Sequence, residues 1–210
     1  MTMAKAGGAK AGGAKAGGAK SGGAKPPTPG TILRLKITLA RSKPPIWRRV
    51  LVPATMILGD LHVVIQVAMG WYNCHMHSFE IGGDHYGDRT VDDEVANENA
   101  INLRRLVKSG VTRFAYTYDF GADWEHIIAI EKSPAKTEGP PYPRCVAGKR
   151  ACPPEDSGGV WSYQESLEIL ADPAHPEYAE RREWFEEDIV PEEFDLAEVN
   201  VHMAAIFDPP

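Results

Sequence analysis

Residues 113–130 read Arg-Phe-Ala-Tyr-Thr-Tyr-Asp-Phe-Gly-Ala-Asp-Trp-Glu-His-Ile-Ile-Ala-Ile. Phe114, Tyr116 and Tyr118 alternate with Arg113, Ala115 and Thr117. After Gly121 the alternation resumes, with Trp124, His126, Ile128 and Ile130 on one side. Side chains two apart on an extended chain share a face, so this stretch predicts two half-buried strands joined by a tight turn. The same period runs through Leu33, Leu35, Ile37 and Leu39 within Thr31–Ala40. Pro44-Pro45 then turns the chain into a second strand, Ile46–Val52. Ser78–Ile81 with Gly82-Gly83-Asp84 suggests another short hairpin. Between these, Leu58, Leu61, Ile65, Ala68 and Met69 recur at helical spacing, with Thr55 as N-cap and Gly70 as the stop.

The carboxy-terminal third changes period. Ser162 and Glu165 read as a capping box ahead of Leu167, Ile169 and Leu170, Glu177–Glu187 as a charged second helix, and Leu196–Phe207 as a third behind Asp195 and Glu198. Strands first and helices last predict an α+β domain over residues 31–207. Its antiparallel sheet of about five strands carries one internal helix and a C-terminal helical segment packed on one face. Residues 133–159 hold six prolines and four glycines without an apolar period, and read as a long loop.

Charge is unevenly spread. The chain has 210 residues with 23 basic and 29 acidic side chains. Residues 1–30 take five of the lysines and no acid, which leaves 18 basic against 29 acidic groups beyond them, a net of −11. So acidic a body is a poor candidate for holding nucleic acid across its whole surface. Residues 4–23 repeat Ala-Lys-(Ala/Ser)-Gly-Gly four times and precede a Pro-rich linker, Pro26–Gly30. The repeat reads as a disordered tail, either a solubilising leader or an electrostatic tether making weak phosphate contacts. No apolar run reaches 18 residues, and three cysteines do not make a disulfide scaffold; the expectation is a cytoplasmic chain with no membrane contact.

Three polar groupings carry potential chemistry. Cys74-His75-Met76-His77 places His75 and His77 on one face of an extended segment, as two imidazoles sharing a metal ion require. Tyr118–His126 gathers Asp119, Asp123 and His126 around a turn, as candidate catalytic groups. Cys145 and Cys152 flank the loop that leads to Glu155-Asp156. His75, His77, His126, Cys145 and Cys152 form a candidate ligand set for a divalent metal such as zinc. Each grouping also has a plainer reading: core histidines, aspartates bonding their own turn, and cysteines acting as small apolar groups. Trp47, Trp71, Tyr118 and Trp124, with Trp161, Glu155 and Asp156 close in sequence to the polar motifs, supply a candidate binding surface.

The ordered motifs Pro44-Pro45-Ile46-Trp47-Arg48-Arg49-Val50, Leu61-His62, Ala68-Met69-Gly70-Trp71, His75-x-His77-x-Phe79, Tyr118-Asp119-Phe120-Gly121, Trp124-Glu125-His126, Pro143-Arg144-Cys145 and Ala151–Asp156 resemble the plasmid pRiA4b ORF-3-like family. The resemblance spans about residues 31–200. It implies a compact α+β domain found on bacterial plasmids and chromosomes and with some insertion elements, some members of which carry a provisional TnpR resolvase label, without attaching a reaction. Two positions depart from the family pattern: Ala122-Asp123 stands where members typically read Asp-Gly, and Ser157 where they tend to carry a third cysteine. Serine-recombinase catalysis does not fit this chain, which has a Gly-rich amino terminus, an acidic body and no basic helix-turn-helix segment. Three functions are left to weigh. The first is a non-catalytic binding or accessory module for a protein or small-molecule partner. The others are a metal-dependent hydrolase or nuclease using His75, His77, Asp119 and His126, and nucleic-acid association through the tail.

Overall fold

The computed structural model describes residues 30–131, 142–185 and 189–207. The expectations for the repeat tail, and for the part of the long loop at 132–141, lie outside the described residues. One sheet of eight strands runs through the rest, in the order β5-β4-β3-β6-β7-β1-β2-β8. The strands are β1 Ile32–Leu39, β2 Trp47–Pro53, β3 His77–Ile81, β4 Asp84–Gly87, β5 Ala96–Asn97, β6 Arg113–Tyr118, β7 Trp124–Glu131 and β8 Arg144–Lys149. All neighbours pair antiparallel except β4 and β5, which run parallel, so the sheet is mixed.

The alternation that suggested the strands also decides which way the sheet faces. Leu33, Leu35, Ile37 and Leu39 of β1 lie beside Phe114, Tyr116 and Tyr118 of β6 and Trp124 and Ile128 of β7 in one contiguous core. A fully buried side chain of this kind contributes about 1.5–3 kcal/mol. Helix α1, Leu58–Met69, adds Leu58, Leu61, Val64, Ile65, Ala68 and Met69 to the same core. Helix α2, Leu103–Lys108, adds Leu103 and Leu106, α3, Gly159–Ala171, adds Val160 and Tyr163, and α5, Leu196–Phe207, adds Met203. Helix α4, Tyr178–Trp184, buries no residue. No helix among the described residues is long and apolar enough to cross a membrane.

Several sequence expectations are corrected. About five strands understated the sheet, because β5 is two residues long and β8 lies inside the stretch read as a loop. A second internal helix, α2, is present, capped by the Asn102 side chain on the Arg105 amide. Thr55 is not the cap of α1; Ile57 holds that position without a side-chain bond. Ser162 lies within α3, which starts three residues earlier behind Gly158. Asp195 does accept from the amides of Ala197 and Glu198 at the start of α5. At the margin of the sheet, Asn200 of α5 takes both backbone groups of Cys145 in β8, accepting from its N–H and donating to its C=O at 2.9 Å each.

Candidate functional site

Helix α1 ends at Gly70, whose φ of 82° only glycine adopts without strain, and whose N–H returns to the Gln66 and Val67 carbonyls. That turn delivers Trp71 into an aromatic box. Its ring stacks on Tyr118 at 5.1 Å, lies 5.8 Å from Trp124 and meets His126 edge-on at 5.3 Å. The Trp71 indole N–H donates to the Pro153 carbonyl at 2.9 Å and so anchors the segment carrying Glu155 and Asp156. Tyr118 Oη accepts from the Cys74 and His75 amides and donates to Glu155 Oε1 at 2.5 Å, while Glu155 Oε2 accepts from the Tyr72 amide. Burial first, and then the bond to Glu155, push the Tyr118 phenol well above its usual range.

Three segments far apart in sequence therefore meet around His75. Its Nε2 lies 3.2 Å from Asp156 Oδ1 and 3.9 Å from Asp119 Oδ2, and one ligand atom of each residue falls within 4.8 Å of the others. Asp119 has φ of 54° and spends Oδ1 on the Gly121 amide, which leaves Oδ2 for His75. His75 Nε2 is itself buried and satisfies no hydrogen-bond geometry. Cys74, His75 and Glu155 form a second such group, but both Glu155 oxygens are already engaged.

Beside this group opens a cleft of about 500 Å³, lined among others by His62, Asn73, His75, His77, Glu98 and Phe120. The His62 and His77 rings stack at 3.5 Å and 4°. His77 Nε2 bonds Glu98 at 2.8 Å, and His62 bonds Tyr116 and Asn73 through its two nitrogens. Gln66 donates to the same Tyr116 hydroxyl. Desolvation, and then the neighbouring His77, lower the His62 pKa to about 4.

The other expected residues sit elsewhere. His126 is fully buried, with its pKa lowered by burial to about 4. Neither ring nitrogen makes a properly directed hydrogen bond, although the backbone of Trp124 and Tyr116 lies close. Cys145 is buried with its thiol facing the Arg49 and Ala147 carbonyls, and Cys152 abuts Met69. Neither joins a metal-competent group among the described residues, and burial raises both thiols, Cys152 to about 11. Asp123 pairs with Arg41, Trp47 lies under Lys36 and Arg49, and Trp161 is exposed on α3. His62, Gln66, Asn73 and Glu98 were missed. His62 and Gln66 leave a signal, two polar residues on the apolar stripe of α1. Glu98 leaves none.

A family model described as plasmid pRiA4b ORF-3-like protein matches residues 31–202. The chain belongs to the plasmid pRiA4b ORF-3-like family. It is 44% identical over 162 residues to the uncharacterized protein y4hQ of Sinorhizobium fredii (strain NBRC 101917 / NGR234), covering 73% of this chain and 80% of that one. It also matches the crystal structure of a protein of unknown function, MM3350 from Methanosarcina mazei Go1, at a TM-score of 0.74 and 39% identity. That match covers 80% of this chain and 96% of the other. The two departures from the pRiA4b ORF-3-like pattern now have structural readings. Asp123, at the expected glycine, has φ of 54°, a conformation aspartate tolerates better than most residues. Ser157, at the expected cysteine, is buried and bonds the Pro154 carbonyl of its own loop at 2.7 Å.

Proposed function

We propose that this pRiA4b ORF-3-like chain is a non-catalytic binding module whose cleft is organised around a divalent metal held by His75, Asp119 and Asp156. The observation that carries this reading is the buried, unbonded His75 Nε2 facing two carboxylates from separate loops. A buried nitrogen that makes no well-directed hydrogen bond costs free energy, and a cation would use its lone pair and both nearby acids at once. An imidazole with two carboxylates suits zinc or manganese better than magnesium or calcium.

Binding is favoured over hydrolysis by the state of the neighbouring groups. A general acid or base works best with a pKa near the operating pH. His62 is held near 4 with both nitrogens bonded, Tyr118 is pushed upward, and desolvation raises the Cys145 and Cys152 thiols away from thiolate. Calorimetric titration of the full chain with Zn²⁺ and Mn²⁺ tests the reading. Stoichiometric binding is expected, reduced at least tenfold in His75→Ala and Asp119→Asn. It should be unchanged in Cys145→Ala, because that thiol faces only backbone carbonyls. Titration without saturable binding, or equal affinity in all four proteins, sinks it.

A further inference from the structure

The sheet has a second face, turned away from the helices. Register places Arg34 beside Leu51 and Leu51 beside Arg144, across β1, β2 and β8. One row along, Arg113, Ala129, Lys36, Arg49 and Ala147 are successive neighbours from β6 to β8, and in the next row Thr38, Trp47 and Lys149 adjoin. Buried neighbours such as Leu35, Val50, Phe114 and Cys145 point the other way, into the core, so these side chains share the outer face.

Six cations thus stand together: Arg34, Lys36, Arg49, Arg113, Arg144 and Lys149. Among the described residues Glu131 is an acid within this patch, hydrogen-bonded by Arg49 at 2.8 and 2.9 Å and ion-paired with Arg34 at 2.9 Å. Hydrogen bonding from Arg49, reinforced by the charges of Arg34 and Lys36, holds the Glu131 carboxyl below its usual range. Farther along the face, Glu125 pairs with Arg41. Lys36 lies directly opposite Arg49, a like-charge cross-strand pair that the single Glu131 carboxylate offsets only in part against three cations. Among the described residues beyond this patch, 10 basic side chains stand against 23 acidic ones, and two of those acids, Glu80 beside Ala115 and Glu125 beside Thr117, lie on the same face.

We infer that this outer face binds single-stranded nucleic acid. Charge complementarity identifies a polyanion, and the aromatic groups specify its kind. Lys36 Nζ and the Arg49 guanidinium each sit 5.1 Å from the Trp47 ring, and the Arg144 guanidinium 5.4 Å from the Tyr142 ring. Cations interleaved with aromatic rings on a sheet face are what bases and phosphates together engage, whereas an acidic protein needs only the cations. Lys36 and Arg49 are direct cross-strand neighbours, ~4.8 Å apart between strands, and Arg34 and Lys36 lie two residues apart along β1, ~6.7 Å, while Arg113 and Arg144 each stand one strand farther out, beyond Ala129 and Leu51. The inference is independent of the metal site, which lies at the cleft.

The test is fluorescence anisotropy of the full chain with labelled oligo-dT and oligo-U of about 20 nucleotides, from low to physiological salt, against a duplex of equal length. Saturable binding is expected, tighter for single strands than for duplex. The double variant Lys36→Glu/Lys149→Glu should weaken it at least tenfold, and Trp47→Leu several-fold. Replacing the five tail lysines by glutamine should weaken it only a few-fold and flatten the salt dependence. The exposed pair Arg113→Glu/Lys149→Glu guards against misfolding of the first variant, with circular dichroism as the check. Whichever of oligo-dT and oligo-U binds more tightly identifies DNA or RNA as the natural strand. No binding at low salt, complete loss in the tail variant with face variants like the parent, or equal binding of duplex with no effect of Trp47→Leu would each overturn it.

Discussion

Acidification from pH 7 to pH 4 is expected to remove several kcal/mol of folding stability, through two histidines. His62 and His126 both have pKa values near 4 in the folded chain, lowered first by burial from an ordinary value near 6.5. In the unfolded chain they take up protons as pH falls through ~6.5. Below that point the unfolded state binds more protons than the folded one, so stability falls with falling pH until the folded values near 4 are passed. Above ~6.5 the contribution is fully present. A shift of this size corresponds to roughly 3 kcal/mol per ring at most.

Urea denaturation at closely spaced pH values measures the slope, and His126→Phe isolates one ring. This variant keeps a planar side chain beside Trp71 and removes two ring nitrogens that lack well-directed bonds. It should fold at neutral pH with little loss, and the fall in stability between pH 6.5 and 4 should shrink by about half. An unaltered acid slope in His126→Phe would show that this ring is already charged when folded, against its burial.

The second large effect is expected at Gly159. A Cβ there would come within 2.4 Å of the Ala122 carbonyl oxygen, and the residue has φ of 86°. Gly159→Ala therefore combines left-handed strain with a backbone collision that no rotamer relieves, together about 3 kcal/mol. Gly82→Ala is the control, because its φ of 65° carries the same kind of strain while nothing lies within 4 Å of its Cβ. It should cost about 1–2 kcal/mol. Thermal denaturation separates the two. The contact joins the loop of Asp156 to the turn of Asp119, so Gly159→Ala should also weaken metal binding, whereas Gly82→Ala should not. Equal melting losses in both variants would show that the loops adjust freely.

The strands that were legible in the sequence are those whose two sides differ. β1, β6 and β7 alternate because one face meets the core and the other does not, and each repeats the pattern for at least six residues. β8 was hidden because only Cys145 of its six residues is buried and a register shift at Arg49/Val50 breaks the period. Helix α2 is six residues long, too short for periodicity to separate it from a turn. His75 and Asp119 were named together, with His77 and His126, for a metal-dependent site, whereas Asp156 was named only for a binding surface. Cys145 and Cys152 belonged to the metal expectation and do not join them. Local spacing cannot tell which loop folds over which, and here the decision rests with Trp71 and Pro153.

The Asn200–Cys145 pairing in β8 has a consequence for self-association. A sheet margin normally offers unpaired amides and carbonyls to any extended segment that drifts past. The opposite margin, β5, is only two residues long and offers little purchase. On the β8 side, the carboxamide of α5 imitates a neighbouring peptide bond and occupies the seat a ninth strand would take. Helix α5 thus doubles as a stopper at Cys145: while it stays docked, an incoming strand finds that position of the β8 margin already taken.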